Sequence, residues 1–165
     1  MRVAVTFIFL SVLVSLASAR DFPKQIRDQL RGDIRRAFLN ITFSASTQKE
    51  EDQKVNRLIA HAFGGGYFTV DEDDADIEFQ VTVTDGAGMQ KRSVSFVYNQ
   101  SENGWVLLAA LPGGAPIGSP AKHHGWRDIH TRERIFDRPS EILVRTYRYI
   151  NGAYVKIGES VDSGG

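Results

Sequence analysis

The segment Glu141–Ile157 constrains the fold most, because it has the pattern of a β-hairpin. At its centre stands Asn151-Gly152, the pair that a two-residue type I′ turn prefers, since both central residues need positive φ. This turn fixes which residues lie opposite one another. The predicted pairs are Ile150 with Ala153, Tyr149 with Tyr154, Arg148 with Val155, and Thr146 with Ile157.

Side chains alternate between the two faces of such a hairpin. The predicted core face carries Ile142, Val144, Thr146, Ile150, Ala153, Val155 and Ile157. The opposite face carries Leu143, Arg145, Tyr147, Tyr149, Tyr154 and Lys156. We therefore expect the aliphatic face to be buried and the tyrosine face to form a surface.

The first nineteen residues have the pattern of a secretory signal peptide. Met1-Arg2 supplies a positive charge, Val3–Leu16 is almost uncharged and apolar, and Ala17-Ser18-Ala19 fits a cleavage site. The apolar run is shorter than the roughly 20 residues that a membrane-spanning helix needs. We therefore predict a signal peptide at 1–19 and a single domain at 20–165, with no membrane span after cleavage.

Charge and cysteine content narrow the class of protein. The 20 basic and 20 acidic residues balance, so no overall field favours nucleic acid as a partner. The chain has no cysteine, and exported domains without disulfides must rely on a hydrophobic core. This combination favours a bacterial periplasmic or secreted protein, and nothing in the sequence indicates a cofactor.

Two amphipathic helices are predicted before the strands. Arg20–Leu39 carries an apolar stripe at helical spacing, and Thr47 begins a second helix that ends at Gly64–Gly66. A basic row runs along the first helix, formed by Lys24, Arg27, Arg31 and Arg35. This row is either a solvated edge or a docking face for an acidic partner.

From Tyr67 onward the apolar residues alternate with a period of two, which predicts strands. The predicted strands before the closing hairpin include Tyr67–Val70, Ile77–Thr84, Arg92–Asn99 and Trp105–Ala110. The predicted class is α+β, with the two helices packed on one antiparallel meander sheet of about five to seven strands. Leu111–Gly125 shows little periodicity and is predicted to be a long loop.

The acidic run Asp71–Asp76 does not fit a helix-loop-helix calcium site, because its third Asp is out of step and the glycine is absent. We expect a solvated hairpin tip there, or a tip that pairs with the basic row of the first helix.

Lys122–His130 contains the densest set of chemically active side chains. One hypothesis is a metal site formed by His123, Asp128 and His130. A second is acid–base catalysis by Asp128 and His130. Either would suit a His-dependent envelope hydrolase, with or without zinc at His123, Asp128 and His130. Its nucleophile would be Ser119, but no nucleophile-elbow motif surrounds that serine.

A third hypothesis is structural: Trp126 and Ile129 would pack, and Arg127 and Asp128 would satisfy each other or the sheet edge. The favoured functional hypothesis is recognition of another protein, since aromatic and arginine side chains are typical of binding hot spots. The predicted binding residues are Trp126, Arg127, Asp128, Tyr147, Tyr149 and Tyr154. They would belong to a non-enzymatic periplasmic domain, such as an inhibitor or immunity-type partner of a cell-envelope enzyme. A structural subunit of an envelope assembly is a further alternative.

Gly125–Val155 resembles a segment of small exported bacterial proteins of unknown function. The shared pattern is G-W-x-D-I followed by Y-R-Y-x-N-G-x-Y, and it is distantly similar to one blade of the FG-GAP type. The calcium-binding D-x-D-x-D-G of such blades is replaced here by Ala121-Lys122-His123-His124. The resemblance therefore implies no calcium site and assigns no functional residue.

Overall fold

Among the described residues, two helices come first and are followed by eight strands. The computed structural model describes residues 23–39, 47–67, 78–86 and 91–163. Within them lie α1 (Lys24–Leu39), α2 (Gln48–Ala60), β1 (Phe63–Tyr67), β2 (Glu78–Asp85), β3 (Arg92–Ser101), β4 (Gly104–Pro112), β5 (Ile117–His123), β6 (Trp126–Ile135), β7 (Arg138–Ile150) and β8 (Ala153–Ser163). The predicted signal peptide and the acidic run Asp71–Asp76 lie outside the described residues.

The strands form two antiparallel sheets rather than one. The first sheet has the order β1-β2-β3-β4 and the second has the order β5-β6-β7-β8. The α+β class and the antiparallel pairing are confirmed, whereas the single sheet is wrong. The segment Leu111–Gly125 is not a long loop, because it contains β5. Gly118 and Pro120 break the alternation along β5, and the strand pairs with β6 through an irregular register.

Both helices pack against one face of the first sheet. On α1, Ile26, Leu30, Ile34 and Phe38 are buried, as the predicted apolar stripe requires. The predicted cap of the second helix is confirmed, since the Thr47 side chain accepts a hydrogen bond from the Glu50 amide at 3.3 Å. No helix among the described residues is long and apolar enough to cross a membrane.

Part of the basic row on α1 is neutralised by α2. Arg35 Nε lies 2.9 Å from Glu51 Oε1, and the same guanidinium pairs with Asp52. Arg31 donates a hydrogen bond to the side chain of Asn56 at 2.6 Å. These contacts join the two helices, so that part of the row acts within the molecule.

A buried polar contact links α1 to the first sheet. The hydroxyl of Tyr98 donates a hydrogen bond to Asp33 Oδ2 at 2.7 Å, and both side chains are almost fully buried. Burial, together with this carboxylate, raises the pKa of Tyr98. The phenol therefore stays protonated and keeps donating.

We expect Tyr98→Phe to lower the free energy of unfolding by about 1–2 kcal/mol, because a buried carboxylate loses a donor. Urea denaturation measures the loss. The matched control is Tyr149→Phe, which removes a half-buried hydroxyl and is expected to change stability by less than about 0.5 kcal/mol. Equal losses in the two variants would contradict the role given to the Tyr98–Asp33 contact.

The other face of the first sheet packs against the second sheet. Val97, Leu108 and Leu111 from the first sheet meet Ile129 and Tyr147 from the second. Residues Val94–Tyr98 are all buried because β3 is covered by the helices on one side and by the second sheet on the other. The described residues therefore form three layers: helices, first sheet and second sheet.

The short connection between the sheets is fixed by hydrogen bonds from both. The Gly113 amide donates to the Ser93 carbonyl, and the Gly114 amide donates to the Arg132 carbonyl, each at 2.9 Å. The Thr131 hydroxyl donates to the carbonyl of Pro112 at 2.7 Å. Backbone groups on each side of the connection are thereby satisfied.

The closing hairpin has the predicted turn. Asn151 and Gly152 have φ values of 52° and 91°. Three of the predicted pairs are confirmed, and the fourth is wrong because a bulge pairs Thr146 with Gly158 and Tyr147 with Lys156. One extra residue on β8 shifts the register beyond this point.

The two faces of the hairpin are reversed relative to the prediction. Tyr147 and Tyr154 are buried, whereas Ile150, Val155 and Ile157 are 42–46% exposed. The tyrosine rings offer more area to bury against the first sheet than the aliphatic side chains do. Alternation identifies two faces, but it does not decide which of them is covered.

Candidate functional site

A tight turn at the start of β6 assembles the histidine- and tryptophan-containing site. His124 and Gly125 both have positive φ, at 54° and 85°, as a type I′ turn requires. The turn places His123 directly opposite Trp126 at the end of the second sheet. The side chains around it therefore come from β5, β6 and β7, close to where β8 begins.

Asp128 is the most buried charged side chain of this site, with 4% of its surface exposed. Arg148 donates two hydrogen bonds to it, from Nη2 to Oδ2 at 2.9 Å and from Nε to Oδ1 at 3.1 Å. The Nε2 atom of His123 lies 3.5 Å from Oδ2. The hydrogen bonds from Arg148 lower the pKa of Asp128, although burial opposes the shift. The carboxylate is thus ionised and occupied by a bidentate partner, so it is poorly suited to accept a proton.

The lowered pKa gives Asp128 a pH-dependent share of stability. Its contribution is present above the pKa of Asp128 in the unfolded chain, about 3.9. It is lost as pH falls through the lower pKa of Asp128 in the folded protein. We expect the difference in free energy of unfolding between wild type and Asp128→Asn to shrink between neutral pH and about pH 3. Urea denaturation at several pH values measures it, with exposed Asp137→Asn as the control. A difference that stays constant over this pH range would contradict a lowered pKa of Asp128 in the folded protein.

His130 points to a different partner. Its Nδ1 atom lies 2.9 Å from the hydroxyl oxygen of Thr146, the residue directly opposite on β7. Among the described residues, no three His, Asp or Glu side chains are grouped so that they could share a metal ion. The proposed ligand set of His123, Asp128 and His130 is therefore not assembled in this part of the chain.

Ser119, the nucleophile considered for a hydrolase, has a local structural contact. Its hydroxyl accepts a hydrogen bond from the amide of Ala121 at 3.1 Å within β5. The contact satisfies a backbone amide on a strand whose pairing is irregular. No described histidine is found as a hydrogen-bond partner of this hydroxyl.

The aromatic side chains form a stacked cluster. The Trp126 ring lies 3.7 Å from that of Tyr149, with 14° between the planes. Tyr154 meets both rings edge-on, at centroid distances of 6.4 and 5.6 Å, and its hydroxyl donates to the carbonyl of Arg127 at 3.1 Å. This cluster closes one end of the core between the sheets.

The six predicted binding residues therefore fall into two sets. Asp128, Tyr147 and Tyr154 are buried, whereas Trp126, Arg127 and Tyr149 are half-buried. The buried three cannot contact a partner in this conformation. Loss of binding in Trp126→Ala would also be ambiguous, because the substitution removes a stacked ring that packs against the core.

Three of the exposed apolar side chains lie elsewhere, along β8. Val155, Ile157 and Val161 of β8 are each exposed by 44–46%. The sequence analysis assigned Val155 and Ile157 to the core, and Val161 lies beyond the segment that it predicted as a hairpin. The signal that could have found them is the position of β8 at the end of the described meander, where no described strand pairs with its outer edge.

β8 is the longer of the two edge strands of the second sheet. It has 11 residues and no proline, whereas β5 has 7 residues and a proline. Within the described ranges, no backbone group pairs with the outer edge of β8. An edge of this length can template the addition of another strand.

Comparison with known proteins gives no assignment: no family model, no curated protein and no solved structure matches this chain. The resemblance of Gly125–Val155 to an FG-GAP-type segment stays a prediction. That segment lies from the β5–β6 turn to β8, within a four-stranded antiparallel meander. The function of the chain has therefore to be inferred from the geometry of its described residues.

Proposed function

We propose that this chain is an exported, non-enzymatic protein-binding domain whose partner pairs with the free edge of β8. The partner would be another cell-envelope protein, in the manner of an inhibitor or immunity protein that binds an envelope enzyme. The single observation that carries the proposal is that the long edge strand β8 exposes three apolar side chains, with Val155 on one face, Val161 on the other and Ile157 at the bulge between them. Export is supported by the signal-peptide pattern of residues 1–19.

Strand addition explains why this edge suits a protein partner. The unpaired amides and carbonyls of an edge strand supply hydrogen bonds, and exposed side chains beside them supply apolar contact. Soluble proteins usually protect a long edge with charged side chains, proline or a bulge. Lys156 and Glu159 do stand on β8, but they pair with each other at 3.2 Å, and Arg145 also contacts Glu159 at 3.3 Å. The charges of Lys156 and Glu159 are therefore compensated, and the protection of β8 consists of the bulge at Ile157 and the charge of Asp162.

The hydrolase alternative has weaker support from the geometry. Asp128 is occupied by Arg148, and His130 is hydrogen-bonded to Thr146. A general base must be free to reach the proton that it abstracts. The binding function needs no such rearrangement, because the three apolar side chains of β8 are already exposed.

We expect Val155→Lys to weaken binding of the partner at least about tenfold, since a charge replaces an exposed apolar contact on the edge strand. The partner is first captured from an envelope extract, then purified, and its dissociation constant is measured with each variant. The control is Ser160→Lys, which adds the same charge to an exposed position of β8 that contributes no apolar contact. Equal affinity of Val155→Lys and wild type would rule out this edge as the binding surface.

A structural subunit is the second candidate, and the charge pattern of β8 favours it. If two β8 strands paired antiparallel around an axis between Ile157 and Gly158, Lys156 would face Glu159 of a second copy on both sides. Opposite charges placed in this way stabilise a strand pair. Analytical ultracentrifugation over a roughly hundredfold concentration range tests it, because association follows mass action. A chain that stays monomeric throughout would exclude this candidate.

A further inference from the structure

A cleft opens between the two sheets, where β3 begins and β6 ends. Its larger part has a volume of about 760 Å³ and lies among residues of α1, β2, β3, β6 and β7. A smaller part of about 430 Å³ continues towards Gly113 and Pro139. Volumes of this order are typical of sites for small molecules.

The floor of the cleft is apolar. Phe38 reaches it from α1 and Leu143 from β7, while Ile135 and Phe136 line it at the end of β6. Phe136 is 59% exposed, the largest exposed fraction among the large apolar side chains of the described residues. A ligand that covered this ring would remove apolar surface from water, which is favourable.

The rim of the cleft is basic. Lys91, Arg92, Arg132 and Arg134 line it, and all four are exposed. Within the part of the chain that the structure describes, none of the four forms an ion pair. Their positive charges are therefore available to a ligand.

The acidic side chains of the cleft do not neutralise this rim. Asp85 pairs with Lys54 at 3.2 Å, and Glu133 pairs with Arg145 at 2.7 Å. Each carboxylate thus has a cation of its own outside the basic rim. The cleft presents four uncompensated cations above an apolar floor.

We propose that this cleft binds a single-chain anionic amphiphile, a molecule with a carboxylate or phosphate head and one hydrocarbon chain. Arg132 and Arg134 would hold the head, because a guanidinium donates two parallel hydrogen bonds to such groups. The hydrocarbon chain would lie over Ile135 and Phe136, which line the same part of the cleft as the two arginines. A simple anion would leave the floor uncovered, and a neutral lipid would leave the cations unused. This site is separate from β8 and does not rest on the protein-binding proposal.

Isothermal titration calorimetry tests the site with the purified protein and dodecyl phosphate below its critical micelle concentration. We expect saturable binding, with at least about tenfold weaker affinity in Arg132→Glu/Arg134→Glu. The control Lys49→Glu/Arg57→Glu makes the same change in net charge on exposed positions of α2 and is expected to bind like wild type. Phe136→Ala, which alters only an exposed ring, is expected to weaken binding several-fold. This variant tests the apolar contact with the hydrocarbon chain even if the double variant does not fold.

Three further probes separate the ligand classes. Dodecanoate is expected to bind as dodecyl phosphate does, because both combine a negative head with the same chain. Inorganic phosphate and neutral dodecyl maltoside are expected to bind at least about tenfold more weakly. The proposal is overturned if either binds as tightly as dodecyl phosphate, if the two double variants bind alike, or if only anionic phospholipid vesicles bind.

Discussion

Replacing Gly113 with alanine is expected to lower the free energy of unfolding by about 2–4 kcal/mol, the combined cost of a forbidden backbone angle and overpacking. Gly113 has φ of +110°, where a Cβ is strained. A Cβ there would also lie 3.1 Å from the Thr131 side chain and 3.2 Å from the Arg132 carbonyl. Both neighbours belong to β6, so the substitution would push the two sheets apart where their connection is hydrogen-bonded.

Gly152→Ala is the matched control for this substitution. Gly152 also has positive φ, at 91°, but a Cβ there would meet nothing within 4 Å. Its expected cost is therefore the backbone term alone, about 1–2 kcal/mol. Urea denaturation of both variants measures the two terms separately. If Gly113→Ala cost no more than Gly152→Ala, close packing of the two sheets at Gly113 would be refuted.

Asp128→Ala is expected to cost about 1–3 kcal/mol, because the carboxylate is buried and its loss leaves Arg148 without its bidentate partner. The estimate stays at the lower end of the range for buried ion pairs because the Arg148 side chain is 34% exposed and can turn towards water. The lost contact joins β6 to β7 beside the aromatic cluster. Weaker packing of Trp126 on Tyr149 is therefore expected to accompany the loss, visible as a change in tryptophan fluorescence.

A double-mutant cycle isolates the contact itself. Arg148→Ala alone removes the same pair from the other side, and Asp128→Ala/Arg148→Ala removes both partners. We expect the double variant to be more stable than the sum of the single losses predicts, with a coupling of about 0.5–3 kcal/mol. Additive losses would show that Asp128 and Arg148 do not act as a pair.

Local signals in the sequence predicted local structure well. Asn151-Gly152 predicted a turn, because positive φ at both positions restricts the choice of residues. The apolar spacing of α1 and the cap at Thr47 predicted the two helices. Both signals depend only on residues that lie within about one helical turn of each other. His124-Gly125 forms an equivalent turn, but a histidine at positive φ is uncommon, so β5 was missed.

Contacts between distant residues could not be predicted in this way. The bulge that pairs Thr146 with Gly158 depends on the whole β7–β8 ladder rather than on the turn. The burial of Tyr147 depends on Val97 and Leu111, which belong to another sheet. The chain forms two sheets rather than one because it changes direction at Gly113. The need for glycine there is visible only in the folded protein, where β6 packs against this residue.

The same limit applies to the candidate site. The sequence singled out Asp128 and Trp126, and the structure places both in one cluster near the β5–β6 turn. Their partners, Arg148 and Tyr149, lie 20 or more residues away in the chain. Because those partners satisfy the charge and cover the ring, the cluster stabilises the second sheet, and three of the exposed apolar side chains lie on β8 instead.

The most direct test of the proposed function places a photo-cross-linking amino acid at position 155 of β8 or at position 117 of β5. Both positions hold exposed apolar side chains on edge strands of the same sheet. We expect irradiation of the intact source cells to join the chain to one envelope protein from position 155 and to none from position 117. No product from position 155, or the same product from both positions, would contradict recognition through the β8 edge.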